Sequence, residues 1–327
     1  MLWFHIGMPK TGSTALQGYL HSNKAFLQNH KIRYMATGRD RGTGRARLIC
    51  HNSMATSMAR GWVDAPLPEA FHQEYEAYEA QHCIVSSEMF FGRDLSSLYS
   101  RYLSTIKAPI RFVIYIRRFD EFIEADYKQR AKNGMRTGGA DAFVAKRLAQ
   151  IESDPDYMNF TVIFDRIRQQ VPGAEIIPRL YLREEMAGNN VITDFLSLME
   201  VPIDDVVLPE AAANKSLSRA ASEALGRFEG AGGPLDKKAR RQLGRLLQDT
   251  ADPRIFGKYD VLNTTERKAI METLEARNAN MRRTVFPDRN CLFSPSQSAD
   301  TPFERGGSHE LDDFQYVQRI LQDLVDQ

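Results

Sequence analysis

The chain has 327 residues, with 43 Lys and Arg against 42 Asp and Glu, so its formal charge of +1 provides no global field to draw it onto nucleic acid or an anionic membrane. Hydrophobic residues make up 43% of it, which supports a sizeable core, yet no apolar stretch approaches a membrane span. The cysteines Cys50, Cys83 and Cys291 are scattered, lack zinc spacing and are odd in number, which argues against a disulfide framework and for a reducing, cytoplasmic setting.

The opening run Leu2 to Gly7 reads as a short buried strand; it is too brief for a signal peptide, and Lys10 follows it rather than preceding it. A loop from Pro9 to Ser13 leads into a helix predicted over about Thr14 to Asn29, where Leu16, Tyr19, Leu20 and Leu27 recur at helical spacing. Ile32 to Met35 is a further extended piece, followed by an Arg/Gly-rich loop from Arg39 to Arg47. Cys83 to Ser87 is a second strand. Ile110 to Ile116 is the clearest one, a continuous apolar run of the kind parallel sheets bury on both faces. A helix follows at once, from Asp120 to Gly134, and another spans Ala140 to Gln150. Glu175 to Leu182 is a fourth strand candidate, and Val191 to Met199 a short helix. Strands alternating with helices predict an α/β fold: a P-loop-like three-layer α/β/α arrangement around a central parallel sheet. The expectation is one domain, with residues 1–203 as the nucleotide-binding core and 204–327 as a mainly helical C-terminal region. Helices are predicted there over Ser216 to Glu229, Lys237 to Gln248, Thr265 to Arg283 and Leu311 to Val325, with a Ser/Pro/Gly-rich loop from Ser294 to His309.

The sharpest chemical signal is Gly7-Met-Pro-Lys-Thr-Gly-Ser-Thr14, between the first strand and its helix. Gly7 and Gly12 have Walker A spacing. Such a loop turns several backbone N–H groups toward one point, and the helix N-terminus adds partial positive charge, which makes a cradle for phosphate or sulfate. An ATPase needs its lysine directly after the second glycine; here that residue is Ser13, and the loop's lysine is Lys10. No metal-binding aspartate follows the apolar strand: Ile116 leads into Arg117 and Arg118. A transferring sulfuryl group carries less negative charge than a phosphoryl group and so has less need of magnesium. One lysine can neutralise charge on the bridging oxygen.

The segment Pro9 to Thr14 resembles the 5′-phosphosulfate-binding loop of sulfotransferases that use 3′-phosphoadenosine-5′-phosphosulfate (PAPS), in its bacterial form. The resemblance implies that Lys10, Thr11, Gly12, Ser13 and Thr14 hold the phosphosulfate, with Lys10 acting on the leaving group. Val113 to Gln129 resembles the family's 3′-phosphate segment, a strand ending in arginine and then a helix. Arg117 then binds the 3′-phosphate at a strand end, where open α/β sheets bind ligands. The family's serine eight residues on is Ala125 here, and Lys128 or Arg130 is the expected compensating contact. The other reading of Arg117 and Arg118 is an ion pair with Asp120 or Glu121. Softer likenesses extend to Asp194-Phe-Leu, Asn214 to Ser218 and Asn278 to Phe293, so the resemblance covers most of the chain.

An acceptor hydroxyl must lose a proton as it attacks sulfur. Glu88, after Ser86-Ser87 at a strand end, is the first candidate for the base and His51 the second; the plain alternatives are an ion-paired Glu88 and a satisfied core His51. His5 reads as core. Phe90, Phe91 and Trp62 are either acceptor-pocket or packing residues, and Arg39, Arg41, Arg45 and Arg47 either greet an anionic glycan or form a solvated loop. The resemblance implies a cytoplasmic PAPS-dependent enzyme that yields 3′-phosphoadenosine-5′-phosphate (PAP), needs no metal, and modifies a small-molecule or glycan acceptor. It implies no nucleic-acid partner and no stable membrane insertion. An atypical P-loop kinase and a non-catalytic PAP-binding protein are the competing readings.

Overall fold

The structure, a computed structural model, describes residues 1–39, 49–60, 67–77, 80–209, 216–230, 233–257, 260–293 and 308–326. Arg41, Arg45, Arg47, Trp62, Asn214 and most of the 294–309 loop lie outside the described residues. In chain order the first elements are β1 Leu2–His5, α1 Ser13–Ser22, α2 Lys24–Asn29, β2 Ile32–Tyr34, α3 Asn52–Arg60, α4 Leu67–Glu76, β3 His82–Ser86, α5 Ser96–Leu98 and β4 Ile110–Ile116. There follow α6 Phe119–Lys132, α7 Ala140–Ser153, α8 Phe160–Gln170, β5 Glu175–Leu180 and α9 Val191–Ser197. The remainder is α10 Arg219–Arg227, a two-residue ladder of β6 Glu229–Gly230 with β7 Gly233–Pro234, then α11 Lys237–Asp249, α12 Thr264–Thr273, α13 Glu275–Val285 and α14 Ser308–Asp326. Among the described residues no helix is long and apolar enough to cross a membrane.

Two compact units emerge, one formed by Met1–Arg117 with Phe160–Glu210, the other by Arg118–Asn159 with Ala211–Gln327. The first holds a five-stranded sheet in the order β2-β3-β1-β4-β5, every neighbouring pair parallel. The expected α/β class with a central parallel sheet is what the chain adopts. Strand periodicity sorts β1 between two faces. Trp3 joins Ile84, Val113 and Tyr115 against Leu16 and Leu20 of α1 and Phe195 and Leu196 of α9. On the other face Phe4 stacks on Phe112 with centroids 5.1 Å apart and meets Phe90 edge-on at 5.9 Å. Beyond it α8 brings Phe160 against Phe91 at 6.0 Å.

The helix predicted from Thr14 to Asn29 is broken at Asn23, which lies off the helical basin at φ −106°, ψ 46°. Its side-chain Nδ2 and its backbone N–H both donate to the Tyr19 carbonyl, at 2.9 and 3.0 Å. A short amide side chain competing for helix carbonyls is a local terminator. Similarly, the predicted Thr265 to Arg283 helix becomes α12 and α13, separated at Leu274. α12 starts on a capping box, with Asn263 Oδ1 accepting from the Glu266 N–H at 2.8 Å and Glu266 Oε2 accepting from the Asn263 N–H at 3.0 Å.

The second unit is mainly helical. Its core joins Leu217, Ala221 and Leu225 to Leu243, Leu247, Ile255, Val317 and Leu321. Residues 118–159, which the sequence reading assigned to the α/β core, group with these C-terminal helices. The physical reason is an ionic cluster on α6. Arg267 of α12 donates to Asp120 at 3.4 Å and to Glu124, and all three side chains are at least nine-tenths buried. Arg118 Nε donates to Asp120 Oδ1 at 2.9 Å. Removing one partner from a buried ion pair strands the others, at a cost of about 3–5 kcal/mol. Arg267→Ala is therefore expected to lower stability by about that amount in urea denaturation. A change below about 1 kcal/mol, the scale of exposed pairs, would make the cluster incidental.

Candidate active site

Parallel strands carry all their C-terminal ends to one edge, and the sheet order puts β1 at its centre, between β3 and β4. The Gly7–Thr14 loop leaves β1 at that edge. Its first residues stay tied to β4, with the Ile6 N–H on the Val113 carbonyl at 3.1 Å and the Met8 N–H on the Tyr115 carbonyl at 3.3 Å. The turn then closes on itself, since Thr11 Oγ1 donates to the Met8 carbonyl at 2.7 Å. Lys10 sits in the left-handed region at φ 72°, a rare conformation for a residue with a Cβ that costs on the order of 1 kcal/mol. Gly12 also has positive φ, 78°, and a Cβ there would lie 3.0 Å from Val191 Cγ1 and 3.2 Å from the Tyr181 hydroxyl. Space and backbone both demand glycine.

Gly12 is the N-cap of α1 and supplies no side-chain cap, so the first N–H groups of the helix open onto the loop with their partial positive charge. Ser13 is almost fully buried, and its hydroxyl has no hydrogen-bond partner among the described residues. Thr14 is exposed. The five residues Lys10 to Thr14 thus form one continuous loop and helix start, as the sequence reading had them.

Arg117 follows the last residue of β4, and its Nη1 donates to the Lys10 carbonyl at 2.9 Å. The guanidinium also lies over the Tyr181 ring, 5.8 Å from its centroid. Arg117 therefore clasps the strained point of the loop, a role the sequence reading did not assign it. On the other side of β1, β3 ends at Ser86. Ser87 caps the following turn, Glu88–Phe90, by accepting from the Met89 N–H at 3.0 Å and donating to Asn52 Oδ1 at 2.6 Å. Glu88 opens that turn, partly exposed, two residues past the β3 end that pairs with β1 through Ser86 and His5. Lys10, Arg117 and Glu88 thus come from three adjacent strand ends. Phe90 packs on Phe4 in the core, the packing alternative of the two raised for it.

His51 does not join them. It is fully buried, its Nδ1 accepts from the Ser86 N–H at 3.1 Å and its Nε2 donates to the Met35 carbonyl at 3.1 Å. Burial lowers its pKa to about 3, with the Arg39 guanidinium acting in the same sense. Both ring nitrogens are committed to backbone, which makes His51 a structural residue rather than a base for an acceptor. Arg39, from the loop read as either glycan-facing or solvated, lies over the Tyr34 ring at 5.1 Å and reaches His21 Nδ1 at 2.6 Å.

Lys128 belongs to the second unit. Its ammonium bonds the Gly257 carbonyl at 3.0 Å, Glu124 Oε1 at 3.2 Å and Asp260 Oδ1 at 2.5 Å. An ammonium has three donors, and three acceptors take them, so the expected compensating phosphate contact is replaced by a structural one. Arg118 likewise follows its structural alternative, on Asp120. The sequence reading also passed over Asp194 as a structural anchor. It is fully buried, accepts from the Tyr115 hydroxyl at 2.7 Å and from Arg179 Nε at 3.0 Å, and holds the Ala187 N–H at 3.0 Å. Those bonds raise the Arg179 pKa above its usual value. A single charged residue in α9, Val191–Ser197, whose Val191, Ile192, Phe195 and Leu196 are apolar, was the available signal.

No family model matches the chain, and no solved structure matches it. A protein of Archaeoglobus fulgidus described only as uncharacterized is 26% identical over 210 residues, which is 63% of this chain and 54% of that protein. The chain thus aligns with about half the length of that relative, whose description carries no activity.

Proposed function

We propose that this chain is a sulfotransferase that takes the sulfuryl group of PAPS to a hydroxyl or amine of an acceptor. The observation that carries the reading is the loop itself. A glycine-opened helix start stands at the end of the central strand, Lys10 is held left-handed within it, and Arg117 clasps the Lys10 carbonyl. The partnerless Ser13 hydroxyl supports an oxyanion there. Ser13 in place of a Walker lysine speaks against ATP chemistry.

In this reading Lys10, Thr11, Gly12, Ser13 and Thr14 hold the 5′-phosphosulfate and Arg117 the 3′-phosphate. The donor supplies an activated S–O bond and a nucleotide leaving group. The Lys10 ammonium stabilises charge on the departing bridging oxygen. Glu88 accepts the acceptor's proton as the new S–O or S–N bond forms, in one in-line displacement. A small metabolite or glycan is the acceptor class, and a cytoplasmic location goes with a donor made in the cytosol.

Calorimetric titration with PAP, run with and without magnesium and beside ATP plus magnesium, tests the donor. The expected result is metal-independent PAP binding, weakened at least about tenfold in Arg117→Ala, which loses a charge-assisted bond worth about 1.5–3 kcal/mol. ATP binding with magnesium in the absence of PAP binding would replace this reading with the kinase.

A further inference from the structure

His5 is fully buried on β1, and only one of its ring nitrogens is used. Nδ1 lies 2.7 Å from Ser86 Oγ, while Nε2 has no hydrogen-bond partner among the described residues. Gln17 of α1 donates its amide to the same Ser86 oxygen at 3.1 Å. The Ser86 hydroxyl has one hydrogen and two lone pairs, one of which Gln17 takes; in the arrangement that gives the hydrogen to His5 Nδ1, the neutral ring carries its proton on Nε2. The ring is kept neutral by burial between the Tyr115 and Phe195 rings, whose centroids lie 5.9 and 5.7 Å away, with no charged group among these contacts. A buried N–H without a partner is rare and costly, so its direction is informative.

That direction is the floor of the loop. A Cβ placed on Gly7 would lie 3.0 Å from His5 Nε2 and 3.1 Å from Thr11 Oγ1. Gly7 has no positive φ to explain a glycine, so the missing side chain serves space: two polar atoms converge on a point that any Cβ would fill. Thr11 has already donated its hydroxyl hydrogen to Met8, so it offers lone pairs, whereas His5 offers a proton.

We propose that the His5 Nε2–H is an anion-binding donor of the loop, in the tautomer whose Nδ1 accepts from Ser86, and that it bonds one oxygen of the tetrahedral anion seated over Gly7. The proposal rests on the loop being an anion site, and it deepens the reading above. It adds a side-chain donor from beneath to the backbone donors of the loop, and it is matched to an unprotonated oxygen, such as one of the sulfate or phosphate of a phosphosulfate, because a neutral imidazole N–H can only donate.

The decisive measurement is the imidazole ¹⁵N spectrum of the full chain, with the His5 signal assigned through His5→Gln and titrated separately with PAP and with inorganic pyrophosphate. The expected spectrum is the Nε2–H tautomer at neutral pH, with the Nε2 resonance moving on addition of either anion. Movement with pyrophosphate but no PAP binding would sink the PAPS donor and leave the His5 assignment standing. PAP binding by calorimetry with an unmoved His5 resonance would overturn the His5 assignment and leave the donor. An Nδ1–H tautomer, or no response to either anion, would overturn it outright. Two variants separate the ring's two bonds. His5→Asn keeps a group at the Nδ1 position for Ser86 and loses the loop donor, so PAP affinity should fall about tenfold. His5→Gln extends an amide N–H to the Nε2 position and should retain affinity within about threefold, a rescue that a purely structural role would not give.

Discussion

Replacing Lys10 with alanine or methionine is expected to lower PAP release from PAPS by about 10²–10³-fold, the usual consequence of removing one group that stabilises charge only in the transition state. Two ties of the loop do not depend on the Lys10 side chain. Arg117 grips the carbonyl of Lys10 and not its ammonium, and Thr11 closes the turn on Met8, so both ties on the loop survive a side-chain truncation. The left-handed φ of 72° is equally uncomfortable for alanine, methionine and lysine, so loop strain does not change sign. Methionine keeps the length and apolar stem of lysine and removes the charge alone. Thermal unfolding should therefore stay near that of the parent chain while turnover collapses, and PAP affinity should change far less than turnover. Glu88→Gln belongs to the same experiment, with turnover down about 10²–10⁴-fold at unchanged PAP affinity if the carboxylate is the base. Lys10 variants with parental rates would remove lysine from the leaving group and with it the mechanism.

The strands were legible because burial on both faces of a parallel sheet writes itself as an apolar run; β4, Ile110–Ile116, has the bounds that its sequence announces. The loop was legible because glycine spacing is a backbone requirement. α8 was not drawn from the sequence, although Phe160, Ile163, Phe164 and Ile167 recur at helical spacing and all prove buried. The grouping of residues 118–159 with the C-terminal helices could not be read locally, because the ionic cluster that binds them joins Asp120 and Glu124 to Arg267, more than 140 positions away. The same limit explains the site. Lys128 and His51 carry the right chemistry in a motif-like setting. What disqualifies them is occupancy: three acceptors on one ammonium, two backbone groups on one imidazole. Conversely His5 looked like core, and it is core. Its second nitrogen acquires meaning only once Ser86, 81 positions on, has taken the first.

Acid is expected to unfold the first unit's site from beneath. His5 and His51 have folded-state pKa values lowered to about 4 and about 3 by burial, against 6.5 for an exposed imidazole. Well above pH 6.5 both are neutral in folded and unfolded chains and add no pH dependence. Below it the unfolded chain takes up protons that the folded one refuses, so stability falls with falling pH through the window from 6.5 toward 4. Two such groups give a slope approaching about 2.7 kcal/mol per pH unit and a loss of about 3–4 kcal/mol between pH 7 and pH 5. That loss is a large share of a typical domain's stability. The geometry says why the folded form resists protonation. His51 must accept from the Ser86 N–H, which an imidazolium cannot do, and Arg39 adds repulsion. His5 is enclosed by Tyr115 and Phe195. Urea denaturation at pH 7 and pH 5 measures the effect, and His51→Gln should lower stability at pH 7 while removing about half of the pH dependence. Equal stability at the two pH values would mean that one or both imidazoles are accessible to protons, and the closed arrangement around Ser86 would be wrong.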